Sequence, residues 1–419
     1  MQNFLLGMLS YGFNNCNYLN ISVLLRGNIG YDKIEEAIKA LVRKHPALRT
    51  SLERTENGFV QVVDEDASYT LNLCEAQGSN EQEKTEYVKK VISDRLAQPA
   101  DPFKDELTQI TVYRISDEVN IVAFVCNHLI SDAQSLMILY RDLISYLATG
   151  NEPEDEGLTF ADYCVMETDP QNDAIRQESA GFWVNEVSKM NGHTITMLPE
   201  ADVEEEVSVT VSGDLREKVL EYAKKMHVSV FQVVESAFDI AISRIENAPS
   251  SSLRIAIANR FDERLKNTVG FFATVISSYS EVKDDISVDD FVTYIRNKMI
   301  EYSKHMMGVN IAQLTPFRNE KDKIITPYIL SYMDYAASSS LNTGGSFTAE
   351  TIQPEDKAIY PKAIFIKGKE TKEEIALEAS YDCKIYTADF VRSFMESVRS
   401  IIGQIVTQNG KMLGDIEED

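Results

Sequence analysis

The sequence predicts a mixed α and β protein (α/β, α+β mixed) built as two lobes, and three observations carry that prediction. At 419 residues the chain is too long for one ordinary hydrophobic core, so two lobes of roughly 150–250 residues each are expected. Strand-like and helix-like segments alternate in both halves, the pattern that packs helices on a sheet. No short internal repeat replaces that alternation, and an acidic, Pro-containing connection at Asn151 to Gly157 separates the halves. The boundary therefore falls within 150–175, dividing the chain into lobes 1–165 and 166–419.

Taken in order, Tyr18 to Arg26 is rich in strand formers and runs into the turn signal Gly27-Asn28. Ile34, Ala37, Ile38, Leu41, Val42 and His45 keep helical spacing until Pro46 stops the helix. Phe59 to Val63 alternates as a strand after the turn Glu56-Asn57-Gly58, and a charged helix is expected over Glu81 to Ala97. A strand at Thr108 to Ile115 turns at Asp117-Glu118 into the apolar run that starts at Ile121, which predicts a hairpin. Gln134 to Leu147 is an amphipathic helix ending at Thr149-Gly150.

In the second half, Asn172 to Lys189 reads as helix and carries the only tryptophan, Trp183, while Glu206 to Val211 alternates with period two. Ser229 caps a helix through Ile245 whose Phe231, Val234, Phe238 and Ile242 share a face. Arg254 to Ala258 is a strand, and Ser287 caps a helix over Val288 to Met306. Ser338 to Ser346 is a loop or lid, and a final amphipathic helix, Ala388 to Val406, precedes a frayed tail at Asp415 to Asp419.

Composition narrows the function. Hydrophobic residues at 44% and charged residues at 26% fit a globular protein, and no apolar run approaches the ~20 residues of a membrane helix. The N-terminus lacks a basic region and a long apolar core, so a cytoplasmic protein with no signal peptide is expected. A net charge of −25 argues against nucleic acid or an anionic membrane as partner. Cys16, Cys74, Cys126, Cys164 and Cys383 stand singly, and the five histidines form no H-x-x-x-H pair, so neither a structural zinc nor another metal is expected.

The chemistry concentrates at residues 121–132. A continuous apolar run ends in a polar turn that carries His128 and Asp132 and then enters a helix. An imidazole at the end of a rigid strand combines fixed geometry with solvent access, as general acid/base chemistry requires. On these residues alone a second reading stands beside it, with His128 a hydrogen-bonded core histidine and Asp132 only the helix N-cap. Cys126 shares a strand face with residue 128, but its buried apolar neighbours favour core packing over nucleophilic chemistry.

Further segments add to this turn. Asn127-His128-Leu129-Ile130-Ser131-Asp132-Ala133 matches H-H-x-x-x-D-G at the second His and the Asp. Around it, in order, stand Arg43-Lys44-His45-Pro46-Ala47-Leu48-Arg49-Thr50, Phe160-Ala161-Asp162-Tyr163, Phe182-Trp183, Ala258-Asn259-Arg260 and Val269-Gly270-Phe271-Phe272-Ala273-Thr274. Together they resemble the condensation domains of nonribosomal peptide synthetases and their relatives in the chloramphenicol acetyltransferase superfamily, from about residue 18 onward.

The resemblance implies two chloramphenicol acetyltransferase-like lobes in a V-shaped pseudo-dimer, with a central tunnel that has His128 at its middle. It implies acyl transfer from a thioester donor to an amine or hydroxyl acceptor, forming an amide or ester in peptide or natural-product biosynthesis. His128 is then the catalytic group, Asp132 pairs with Arg260 to support the site together with Asn127, and Ala133, Gly270, Phe271, Phe272 and Thr274 line the tunnel. No cofactor is held permanently. Acyl groups arrive on phosphopantetheine arms of acyl or peptidyl carrier proteins, or on coenzyme A. The remaining length leaves no room for an adenylation or carrier domain, so a free-standing unit, and a monomer, is expected.

Asn127, Ala133 and Thr274 replace the family's first His, its Gly and its Asn. They keep two alternatives in view: a catalytically silent module that binds carrier proteins, and a coenzyme A-dependent acyltransferase.

Overall fold

The first half builds its elements around one sheet. They are β1 (Tyr18–Arg26), α1 (Tyr31–Lys44), the hairpin β2 (Thr50–Thr55) and β3 (Gly58–Val63), β4 (Asn72–Glu75), α2 (Glu81–Leu96), β5 (Thr108–Arg114), β6 (Val119–Asn127) and α3 (Ala133–Thr149). β6 is flanked by β1 and β5, both antiparallel to it, and every one of its residues is buried. Its alternate side chains serve two cores. Val122, Phe124 and Cys126 pack with Ile21, Val23 and Leu25 of β1 beneath α1 and α3, whereas Ile121, Ala123 and Val125 pack with Leu24 beneath α2. A strand covered on both faces needs apolar residues at every position, which explains the unbroken run. Each large side chain so buried contributes about 1.5–3 kcal/mol.

The second half continues with α4 (Phe160–Thr168), α5 (Asp173–Ser188), β7 (His193–Thr194), β8 (Val207–Ser212), α6 (Gly213–Met226), α7 (Val230–Ile245), β9 (Ser250–Ile257), β10 (Thr274–Glu281) and α8 (Val288–Lys304). It closes with β11 (Lys323–Ile324), β12 (Tyr328–Asp334), β13 (Thr348–Ile352), β14 (Ile364–Glu370), β15 (Glu374–Tyr381) and α9 (Ala388–Thr407). A six-stranded sheet runs in the order β10-β9-β12-β14-β15-β8, with β12 parallel to both its neighbours and the remaining pairs antiparallel. β13 does not join it. Those residues pair antiparallel with β1, from Ser22 opposite Ile352 to Arg26 opposite Thr348, and complete the five-stranded order β13-β1-β6-β5-β4.

The computed structural model describes residues 18–417 except 57, 66–68, 70, 99–100, 153–156, 203–205, 308–322, 336–342, 344, 346, 353–360 and 408–409. Cys16 and most of the loop expected at Ser338–Ser346 lie outside the described residues. Among those described, no helix is long and apolar enough to cross a membrane.

Local sequence accounts for the helix ends that matter. Pro46 follows α1 and cannot continue it. Ser229 and Gln232 form a reciprocal capping box at the start of α7, and Gly150 ends α3 at φ 73°, a left-handed cap that favours glycine. α7 is buried nearly all round and carries two carboxylates inside, Glu235 and Asp239. The Lys298 ammonium of α8 answers both, at 3.3 and 3.4 Å. Burial pushes the Glu235 carboxyl up to about 7.

Candidate active site

The turn that leaves β6 is fixed by its own backbone. Leu107 accepts a hydrogen bond from the Asn127 amide at 2.7 Å, and the Asn127 carbonyl accepts from the Ile130 amide and the Ser131 hydroxyl at 3.1 and 3.0 Å. The Asn127 side-chain oxygen accepts from the Leu129 amide at 3.0 Å. Asn127 is thus a folding residue of the turn. From behind, Gln61 of β3 donates to the Leu129 carbonyl at 3.2 Å.

His128 stands on this turn, partly exposed, with its ring edge-on to Phe271 at a centroid distance of 4.8 Å. Its Nδ1 is 2.8 Å from the Ser131 carbonyl. A carbonyl only accepts, so Nδ1 carries the proton and Nε2 keeps its lone pair. Burial lowers the pKa of the ring, against smaller opposing effects of the Ser131 hydrogen bond and the Asp132 charge. The result is a neutral imidazole of defined tautomer at pH 7, which is what a proton acceptor needs.

Asp132 caps α3, its Oδ1 accepting from the Ser135 amide at 2.8 Å, and it pairs with Arg260 at the same time. The two readings of the sequence are therefore both true of this carboxylate. Arg260 Nη1 and Nη2 meet Oδ2 and Oδ1 at 2.9 Å each. Oδ2 also accepts from the Phe272 and Ala273 amides at 3.0 and 3.1 Å. The remaining Arg260 donors reach the carbonyls of Ala258, Thr268 and Gly270, and its guanidinium lies over the Phe272 ring at 4.3 Å. Ser135 was not foreseen, though its hydroxyl accepts from the Gly270 amide and from Arg260 and lies 2.8 Å from both Asp132 Oδ1 and the Gly270 carbonyl. Its position three residues after an N-cap was the available signal.

The other expected site residues divide. Gly270 is pressed under Phe160: a Cβ there would come within 2.6 Å of the Phe160 ring. Phe272 is buried among Phe160, Tyr163 and Arg260, and Phe271 is buried against His128. Ala133 and Thr274 are partly exposed. None of these five borders the cavity of about 490 Å³ that opens behind the turn between α1, β3 and α4, although Ile130 does. Asp162 completes a capping box with Thr159, and Tyr163 donates to Glu167 and accepts from Asn259. Cys126 belongs to the core beneath α1 and α3, where burial pushes its thiol up to about 12.

The model of the family described as the condensation domain matches residues 6–417. Bacitracin synthase 3 of Bacillus licheniformis is 20% identical over 407 residues, covering 94% of this chain and 6% of that protein. Gramicidin S synthase 2 of Brevibacillus brevis is 23% identical over 414 residues, covering 94% of this chain and 9% of that protein. The chain thus spans less than a tenth of the length of these curated relatives.

Among solved structures, the starter condensation domain of rhizomide synthetase superposes with a TM-score of 0.80 at 11% identity, over 99% of this chain and 95% of that one. The first condensation domain of the CDA synthetase gives 0.77 at 11% identity, over 99% and 97%. The X-domain from teicoplanin biosynthesis gives 0.73 at 15%, over 98% and 95%. The fold is therefore the chloramphenicol acetyltransferase-like one of condensation domains.

Proposed function

This chain belongs to the condensation-domain family, and we propose that it is a condensation-type acyltransferase, joining an acyl thioester to an amine or hydroxyl acceptor with His128 as proton acceptor. The acceptor lone pair attacks the thioester carbonyl carbon, the C–S bond breaks, and the acceptor's proton passes to Nε2 and on to the departing thiolate. The observation that carries this reading is the Nδ1 contact to the Ser131 carbonyl at 2.8 Å, which aims a neutral Nε2. Acyl groups would be presented on the phosphopantetheine arm of a carrier protein or on coenzyme A, as tethered or soluble substrates. Asp132, Arg260 and Asn127 act as positioning residues that hold the turn, and Phe271 packs against the His128 ring.

Intact-mass analysis of transfer from loaded carriers and from acyl-coenzyme A to a pool of amines tests this, with wild type beside His128→Ala. Product from wild type and none, or a rate lower by about 10²–10⁴, from the variant is expected. Equal product from both proteins would remove His128 from the chemistry. Retained carrier binding without product from any donor would assign a binding role instead.

A further inference from the structure

His128 is not among the described residues that line the cavity of about 490 Å³, whose wall is unusual for this protein. Its size falls within the range of small-molecule sites. Phe59, Val60, Ile130, Leu158 and Phe160 give it an apolar body, and no Asp or Glu is among the described residues that line it, in a chain with 66 acidic residues.

Charge gathers at one end. Lys44 lines the cavity and reaches Asp142 Oδ2 at 2.9 Å. Arg141 holds Asp142 Oδ1 at 2.8 Å and also donates to the side-chain oxygen of Asn267, another lining residue, at 2.8 Å. Asp142 Oδ2 is also met by Nε2 of the lining residue His45 at 2.9 Å. One carboxylate therefore answers two permanent cations besides this imidazole, which leaves a positive excess at this end, and the Asn267 amide nitrogen is left to donate. The hydroxyls elsewhere on the wall are committed within the protein: Thr50 to Pro46, Thr268 to Leu158 and Thr159 to Asp162. Lys44 is the one Lys or Arg among the described residues that line the cavity, so a carboxylate head is best met at the Lys44 and Asn267 end, where donors face it.

We propose that this cavity binds a small carboxylate with an apolar body, its head at Lys44 and Asn267 and its chain along Phe59, Val60 and Phe160. An occupant would also touch Ile130, two residues from His128 on the same turn.

Isothermal titration of the full chain with octanoate, and with octanol as the uncharged counterpart, tests the proposal without any acyl transfer, so its outcome is independent of the role of His128. One-to-one octanoate binding is expected, with octanol at least about tenfold weaker, the loss of one charge-assisted contact. Lys44→Met should weaken octanoate by a similar factor while leaving octanol unchanged. Val60→Trp, at a rim position that is 42% exposed and so tolerant of substitution, should weaken both ligands by filling the cavity. No binding of octanoate to folded wild type at millimolar concentration overturns the proposal. So does equal affinity for octanol, or unchanged octanoate binding in folded Val60→Trp.

Discussion

Arg260 and Asp132 meet as a two-pronged pair, with both hydrogen bonds at 2.9 Å and side-chain exposures of 4% and 1%. The contact joins the N-cap of α3 to the segment between β9 and β10, and so ties the turn that carries His128 to the other half of the chain. Removing either member leaves a buried charge without its counterion. Asp132→Ala should cost about 3–5 kcal/mol, visible as a lowered thermal midpoint and reduced soluble yield. Asp132→Leu combined with Arg260→Met should recover part of that loss, because no charge is then stranded. An Asp132→Ala protein that melts like wild type yet is inactive would count against the structural role.

The proposed role of His128 as proton acceptor carries a pH dependence. Its folded-state pKa is lowered by burial, so the neutral form persists below the ordinary imidazole value of ~6.5. Transfer should be flat from pH 7 to 8 and fall only as pH drops through a value under ~6.5. A rate profile at saturating acceptor, using an acceptor that does not itself titrate in this window, checks this; an acid limb centred above 7 would contradict it.

Gly270 is required by Phe160 rather than by backbone conformation. Gly270→Ala places a methyl 2.6 Å from the Phe160 ring, and overpacking of this kind costs about 1–3 kcal/mol. Phe160→Leu should relieve the clash. The double variant is then expected to be more stable than the sum of the single changes predicts, as denaturant midpoints would reveal.

Glu235 makes stability fall as pH rises. Its carboxyl is pushed up to about 7 by burial, with the Asp239 charge adding and Lys298 opposing, against an unfolded value of ~4.3. The folded state therefore holds a proton that the unfolded state releases across this window, and ionisation penalises folding. The stability difference between wild type and Glu235→Gln should shift against wild type by a few kcal/mol, on the order set by this displacement, between about pH 4.5 and 7. Denaturant unfolding at closely spaced pH values measures it, and a pH-independent difference would contradict the buried protonated carboxyl.

Much of the first lobe was legible because its elements advertise themselves locally. β1 is found at Tyr18–Arg26 as expected and α1 ends before Pro46, while in the second half the Ser229 and Ser287 caps are in place. The site turn was legible as a motif, and its pairing with Arg260 followed from the resemblance. Within the second sheet, β10, β12, β14 and β15 had no counterpart in the sequence reading. β15 does alternate, burying Ile375, Leu377, Ala379 and Tyr381, yet charged residues interrupt it and blur the period. The cavity was beyond reach, because its wall is assembled from five separated segments that share no pattern in sequence. The constraint on Gly270 was equally out of reach, because the ring that leaves no room for its Cβ is distant in sequence.

The pairing of β1 with β13 has a consequence for how the chain is made. β1 is among the first described segments to leave the ribosome, and the strand that covers its outer edge is among the last. Until residues 348–352 emerge, the nascent N-terminal sheet presents an open row of amides and carbonyls, the kind of edge that recruits other strands. Synthesis halted before that point yields a chain whose His128 turn has formed locally but whose sheet remains adhesive. Truncation after α3 is therefore expected to yield aggregates, and a peptide spanning 348–352 supplied in trans is the natural agent to quiet them.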